Sequence, residues 1–390
     1  MMGKQLIIGF LTDTDPMDKR SWSGIHYRMV KSIEEQGFSV VCLGPPRLDK
    51  YSNYALIKLL WIFKKIHDFL FRKGRYNTSH SHLVSYFQAQ YFNKKICEND
   101  IDVIFAPAAS NQIAHIKTKI PICYYSDATV AVLFDLYDFS GFSSFSIKES
   151  NQIEQRAIQK SKTQVFSSKW AFDSAKFDYN ATNPFIVKMG ANIDVDPPQE
   201  NITQKTYEPV LKLLFIGVDW KRKGGEIVLE TLNKLDEKGY DVHLTVVGCI
   251  PPKENPKMTV IPNLNKNIKE EMLVFEDLLK ASHLLFLPTR AECYGIAFCE
   301  ANAFGLPVIS TNTGGVSSVI EDGVNGFLLP LSATSEDYCM VIENLINDKD
   351  KLKKLAKSSR EKYDKELNWH QWGKKIKEIL LLTRVLCQAG

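Results

Sequence analysis

The chain has 390 residues, 44% of them hydrophobic and 24% charged, with a formal net charge of +4. That length exceeds one ordinary core and predicts two or three domains, and the composition excludes a disordered or fibrous chain. So small a charge surplus gives no case for nucleic acid and leaves only a mild preference for anionic ligands or membrane surfaces.

Gln5 to Leu11 is an apolar run of strand length. A polar loop from Thr12 to Ser23 follows, then Gly24, a helical pattern from His26 to Gln36, Gly37 as its stop, and a second strand from Phe38 to Leu43. Strand, glycine-bearing loop, helix and strand open a Rossmann-like unit, although no G-x-G-x-x-G is present. Tyr54 to Arg75 reads as one helix with a basic edge of Lys58, Lys64, Lys65, Arg72, Lys73 and Arg75. Its apolar side carries Leu56, Leu59, Leu60, Ile62, Phe63, Ile66, Phe69 and Leu70. Two readings are open: a core-packing helix with a solvated basic face, or a helix that touches anionic lipid or a lipid-linked ligand.

Ser81 to Cys97 is helical again. Strands follow at Ile101–Ala106, Ile120–Tyr125, Thr163–Ser167 and Phe185–Met189, with helical stretches at Ile147–Gln159 and Lys169–Phe177 among them. This alternation predicts a parallel sheet covered on both faces. Gly190 to Asp194 leads into a polar, proline-bearing stretch from Val195 to Tyr207, which reads as a linker. A second series begins at Val210: strands Leu211–Ile216, Val242–Val247, Met258–Ile261, Leu284–Leu287, Pro307–Ile309 and Phe327–Leu329, with helices between them. The expected division is residues 1–195, residues 196–368, and a final helix from Trp369 that returns to the first domain.

The eight cysteines include no C-x-x-C pair, and several sit in apolar runs. They predict buried free thiols in a reducing compartment rather than a disulfide framework. The histidines are scattered, so no metal is expected. Leu6 to Leu11 is too short for a signal segment and no run has the length of a membrane span, which predicts a cytoplasmic protein, free or held at a membrane from that side.

Polar clusters follow the predicted strands: Asp13 to Gly24, Ser126-Asp127, Asp219 to Gly225, Thr289 to Glu292 and Thr311 to Gly315. Ligands of open parallel sheets collect at those strand ends. In the loop from Gly217 to Gly225, Arg222 and Lys223 precede a helix and a Gly-Gly pair, a setting suited to phosphate or diphosphate. Glu292 sits where a loop enters a helix, next to the backbone N–H groups of Tyr294, Gly295 and Ile296. Glu300 lies about two turns further on. Two carboxylates would repel a diphosphate, so they fit only as acceptors for hydroxyls, which describes a nucleotide sugar.

The run from Leu284 to Pro330 carries E-x7-E, Gly-x-Pro-Val-x-x-Thr, Gly-Gly-Val and Asp-Gly-x-Asn-Gly-Phe-Leu. It resembles the C-terminal signature of retaining glycosyltransferase family 4 (glycosyl transferases group 1), over Val210 to Pro330, with a weaker likeness over Gln5 to Asp194. The resemblance implies a GT-B fold, two Rossmann-like domains facing a cleft. It implies transfer of a sugar from a nucleoside diphosphate sugar, with a UDP-sugar the expected donor, to a glycan, lipid-linked or small-molecule hydroxyl with retention. By it Glu300 contacts the ribose, Glu292 the sugar hydroxyls and Lys223 the diphosphate, with no cofactor or metal. The chain departs from the pattern at Val218, where the family often has arginine, at Ser126-Asp127, where it often has histidine before aspartate, and at Ser23-Gly24, where it often has two glycines. Arg222 would supply the missing cation and Asp127 an acceptor-side carboxylate. Epimerisation of a nucleotide sugar, or binding without catalysis, are the competing functions.

Overall fold

The strand runs Ile7–Phe10, Val103–Pro107 and Ile122–Ser126 are almost wholly buried, as expected of parallel strands covered on both sides. They belong to one of two sheets in the computed structural model, which describes residues 5–71, 74–137, 141–199, 205–207 and 210–388. The chain forms two units, one of Met1–Val187 with Gly373–Gly390 and one of Lys188–Trp372.

In the first unit, β1 (Ile7–Phe10), β2 (Ser39–Cys42), β3 (Val103–Pro107), β4 (Ile122–Ser126), β5 (Thr163–Phe166) and β6 (Pro184–Ile186) form a parallel sheet in the order β2-β1-β3-β4-β5-β6. Helices α1 (Ile25–Glu35), α2 (Lys50–Leu70), α3 (His82–Cys97), α4 (Ser110–Ile113), α5 (Val130–Leu136), α6 (Ser144–Lys160) and α7 (Lys169–Tyr179) connect them. The short helices α4 and α5 have no clear apolar period in the sequence. Ser81, Ser143 and Ser168 each accept a hydrogen bond from a first-turn N–H of the helix they precede, so local polar residues set where those helices start. Ile104, Ile122, Tyr124 and Phe166 of the sheet pack against Phe92, Ile96 and Ala157 of the helices. Each such large side chain contributes roughly 1.5–3 kcal/mol on burial.

Helix α2 departs from the core-packing reading. Of the apolar residues named for its inner side, Leu56 alone is buried, while Phe63, Ile66, Phe69 and Leu70 are exposed. The helix also starts earlier, at Lys50 behind the capping side chain of Asp49, and stops at Leu70. Arg75 is therefore off the helix, in a bridge to Phe142; Arg72 and Lys73 lie outside the described residues.

The second unit holds β7 (Leu211–Ile216), β8 (Val242–Val247), β9 (Met258–Ile261), β10 (Leu284–Leu287), β11 (Val308–Thr311) and β12 (Gly326–Leu329). They are parallel, in the order β12-β11-β10-β7-β8-β9. Helices α8 (Gly225–Glu237), α9 (Lys269–Ala281), α10 (Ile296–Ala303), α11 (Ser335–Asn347) and α12 (Lys349–Glu366) cover the sheet, and α13 (Trp369–Gln388) begins here. Read from β9, this is the doubly wound order in which the chain builds outward from β7, then returns to its other side at β10.

The division between units falls at Val187 rather than in the stretch after Asp194. Hydrogen bonds explain why. The Ala191 N–H donates to the Leu367 carbonyl over 3.0 Å, and the Tyr294 hydroxyl donates to the Met189 carbonyl over 2.9 Å. A Cβ on Gly190 would come within 2.4 Å of the Trp369 backbone. The linker-like residues are thus part of the second unit; of the stretch from Val195 to Tyr207, residues 200–204 lie outside the described ones.

Candidate active site

The reversal of strand order in the second unit lies between β7 and β10. The loops that leave the carboxyl ends of two such strands splay apart and form a crevice, the usual ligand site of this fold class. The loop after β7 contains Arg222 and Lys223, and the loop after β10 contains Glu292. Topology, not only charge, therefore brings these three together.

Backbone contacts fix the two loops to each other. The Arg290 N–H donates to the Arg222 carbonyl over 2.7 Å, and Arg222 Nη1 donates to the Ala291 carbonyl over 2.9 Å. Gly224 takes φ 77° at the entrance to α8, and a Cβ there would lie 2.0 Å from the Pro288 carbonyl oxygen. That position needs glycine for both conformation and contact. The Gly315 N–H donates to the Glu292 carbonyl over 3.2 Å, which ties in the Gly-Gly turn after β11.

Lys223 Nζ forms an ion pair with Glu292 Oε2, both side chains 12% exposed, and Arg222 Nη1 stands 4.0 Å from the same oxygen. Gly217 makes room for this: a Cβ on it would come 2.7 Å from Lys223 Cγ. Its place in the site is thus to let the lysine stem lie against the β7 end. Glu292 faces both cations, and Asp219 Oδ2 lies 3.8 Å from Arg222 Nε, so the charges of the resting cluster balance. An ammonium has three donors, and one on Glu292 leaves two for other oxygens.

Gly295, at φ 93°, is the entry to α10, and a Cβ on it would strike the Phe298 ring at 2.3 Å. The amides of Gly295 and Ile296 stand where a helix has no preceding carbonyl to reach. Tyr294 precedes them, with its backbone N–H at the same helix entrance. Its side chain is buried, with the hydroxyl on Met189. Glu300 on α10 is also buried, and Lys266 Nζ reaches its Oε1 at 2.6 Å while lying 4.1 Å over the Phe275 ring. Lys266 went unnoticed in the sequence, although it follows the carboxyl end of β9, the same location that marked the other residues.

Asp127 and Gly24 belong to the first unit. Asp127 follows β4 and is partly exposed. Gly24, at φ 85°, starts α1, and Trp22 and Ser23 before it take φ 45° and 57°. Such left-handed backbone is uncommon without glycine and concentrates at functional loops. This loop leaves β1, beside the order reversal of its own sheet between β1 and β3. Within it Thr14 Oγ1 and Ser21 Oγ lie 3.3 and 3.2 Å from His26 Nδ1. Burial pushes His26 down to about 4 and raises Asp13. Among the described residues, no group of three His, Cys, Asp or Glu side chains is placed to hold a metal ion.

A doubly wound parallel sheet with cations, a helix entrance and two acids at its order reversal is an arrangement suited to a phosphate-bearing ligand. Residues 199–362 match the glycosyl transferases group 1 family model. Spore coat protein SA of Bacillus subtilis is 26% identical over 171 residues, 41% of this chain and 45% of that protein. A D-inositol 3-phosphate glycosyltransferase of Corynebacterium kroppenstedtii is 24% identical over 225 residues, 52% of this chain and 50% of the other. The chain thus spans about half the length of the curated relatives it matches. Sucrose-phosphate synthase from Thermosynechococcus elongatus has the same fold, with a TM-score of 0.65 at 15% identity over 99% of this chain and 100% of that one. The architecture is that of GT-B glycosyltransferases, two Rossmann-like doubly wound units.

Proposed function

We propose that the protein is a retaining glycosyltransferase that moves a sugar from a nucleoside diphosphate sugar, preferentially a UDP-sugar, to a hydroxyl of a glycan, lipid-linked or small-molecule acceptor. The observation that carries this reading is the Lys223–Glu292 pair, flanked by Arg222, at the order reversal of the second sheet. Lys223 and Arg222 receive the diphosphate, and the first-turn amides of α10 add donors to it. Glu292 accepts from sugar hydroxyls. Glu300 accepts from the ribose, with Lys266 holding its carboxylate in place.

In the transfer the bond from the anomeric carbon to the diphosphate oxygen breaks, and a bond from that carbon to the acceptor oxygen forms. The proton of the acceptor hydroxyl passes to the departing diphosphate. Charge grows on that leaving group, so preorganised cations lower the barrier more than they favour the bound donor. The first unit, with the strained loop before α1 and Asp127, takes the acceptor. All eight cysteines are free thiols, which supports a reducing, cytoplasmic setting.

The test is incubation of the full chain with a panel of nucleotide sugars and hydroxyl acceptors, followed by NMR of the product's anomeric proton. Transfer with the donor's configuration kept supports the proposal. Inverted product overturns the retaining assignment, and an epimerised donor without transfer overturns the glycosyltransferase reading.

A further inference from the structure

Helix α2 presents outward what an ordinary surface helix turns inward. Its buried side chains are Leu56 and His67, three turns apart, and His67 Nε2 lies 2.6 Å from Ser143 Oγ. They mark the stripe that faces the rest of the unit. Roughly 90–150° round the helix, at i, i+3 and i+7 spacing, stand Tyr54, Ile57 and Trp61. These are 68%, 60% and 58% exposed, and Tyr51 and Phe69 near the two ends are 85% and 83% exposed. A helix bathed in water alone carries polar residues on that outer face.

The polar groups among these rings are nearly all of one sign. The helix holds Lys50, Lys58, Lys64 and Lys65 against a single acid, Asp68. Lys64 Nζ pairs with Asp68 at 2.8 Å, and Lys65 Nζ lies 4.3 Å over the Trp61 ring. Aromatic rings with lysines beside them fit a surface whose interior is apolar and whose face is anionic. The rings enter the boundary between headgroups and acyl chains, while the lysine stems lie along it and carry their ammonium groups up to phosphates. A second copy of this chain would instead bring the same lysines face to face.

We propose that α2 is a membrane-docking helix that lies in the plane of a bilayer rich in anionic lipid. Tyr54, Ile57 and Trp61 insert, and Lys58 and Lys65 contact lipid phosphate. The inference stands on the first unit and does not depend on the donor site. It accounts for an apolar stripe that packing inside the unit leaves uncovered.

The test is co-sedimentation of the full chain with vesicles of phosphatidylcholine alone and of phosphatidylcholine mixed with phosphatidylglycerol. Two variants, Ile57→Ser/Trp61→Ser and Lys58→Glu/Lys65→Glu, change only exposed positions. Circular dichroism verifies their fold, and light scattering gives the oligomeric state of all three proteins. The expected result is binding to the mixed vesicles that weakens with salt, falls by at least about thirtyfold in the lysine variant, at about fivefold for each cation removed before the repulsion of the two added carboxylates, and is lost in the apolar variant. Absence of binding to the mixed vesicles overturns the proposal, as does equal binding by all three proteins. A native dimer that both variants convert to monomer, with no vesicle binding, would assign the face to a second copy and overturn it too.

Discussion

Replacing Lys223 with methionine separates what the Lys223–Glu292 pair does for folding from what it does for chemistry. Methionine keeps the stem that lies along Gly217 and removes the charge. Glu292, 12% exposed, is then left with Arg222 Nη1 at 4.0 Å as its opposite charge, a guanidinium that already donates to Ala291 and lies 3.8 Å from Asp219. Stranding one member of a fully buried pair costs about 3–5 kcal/mol. Partial exposure and the remaining Arg222 charge reduce this, and we expect a loss of about 2 kcal/mol, read as the shift of the urea unfolding transition. Turnover of the donor should fall by about 100- to 1000-fold, the usual effect of losing one preorganised donor to a developing anion. The double variant Lys223→Met/Glu292→Gln removes both charges. Stability should return to within about 0.5 kcal/mol of the native value, while turnover stays low. Recovered turnover in the double variant would refute the assignment of Lys223 to the leaving group. An unchanged transition in the single variant would refute the coupling of the pair.

Three further outcomes follow from the geometry. Glu300→Ala should weaken UDP binding by about 1.5–3 kcal/mol, the value of hydrogen bonds to a charged group, and undiminished affinity in calorimetric titration would remove the ribose assignment. Gly217→Ala places a methyl 2.7 Å from Lys223 Cγ and should lower kcat about tenfold through a displaced lysine, with little change in the unfolding transition; native kcat would show that the lysine needs no such clearance. Glu154 in the first unit accepts from the Tyr124 hydroxyl at 3.0 Å, and burial raises its carboxyl from 4.5 to about 7. The folded chain then binds the proton more tightly than the unfolded one, so this contribution is complete below pH 4.5 and is lost as pH rises through about 7. Native protein should lose on the order of 3 kcal/mol relative to Glu154→Gln between pH 4.5 and about 8; parallel stability curves would contradict this.

The elements of both sheets were legible because their strands are buried on both faces and read as short apolar runs between polar turns. Lys223, Arg222 and Glu292 were legible for the same reason, since each follows such a run. Their meeting was not, because it depends on the strand order β10-β7, which local sequence does not encode. Lys266 escaped notice because a single lysine in a polar loop carries no pattern; its partner Glu300 comes from another element. Helix α2 misled for a clearer reason. Its apolar residues are spread round the helix, so the sequence alone left the direction of the core open. Lys188 to Asp194 join the second unit through contacts distant in sequence, among them the Ala191 N–H on the Leu367 carbonyl and the Tyr294 hydroxyl on the Met189 carbonyl. The latter contact spans 105 positions.

The most direct test of the central claim is calorimetric titration of UDP and a panel of UDP-sugars into the native chain and into Lys223→Met. Saturable binding by the native chain, weakened in the variant together with turnover, is the predicted result. A folded native chain that binds no nucleoside diphosphate, or binds one equally well with and without Lys223, would contradict the assignment of this site to the donor.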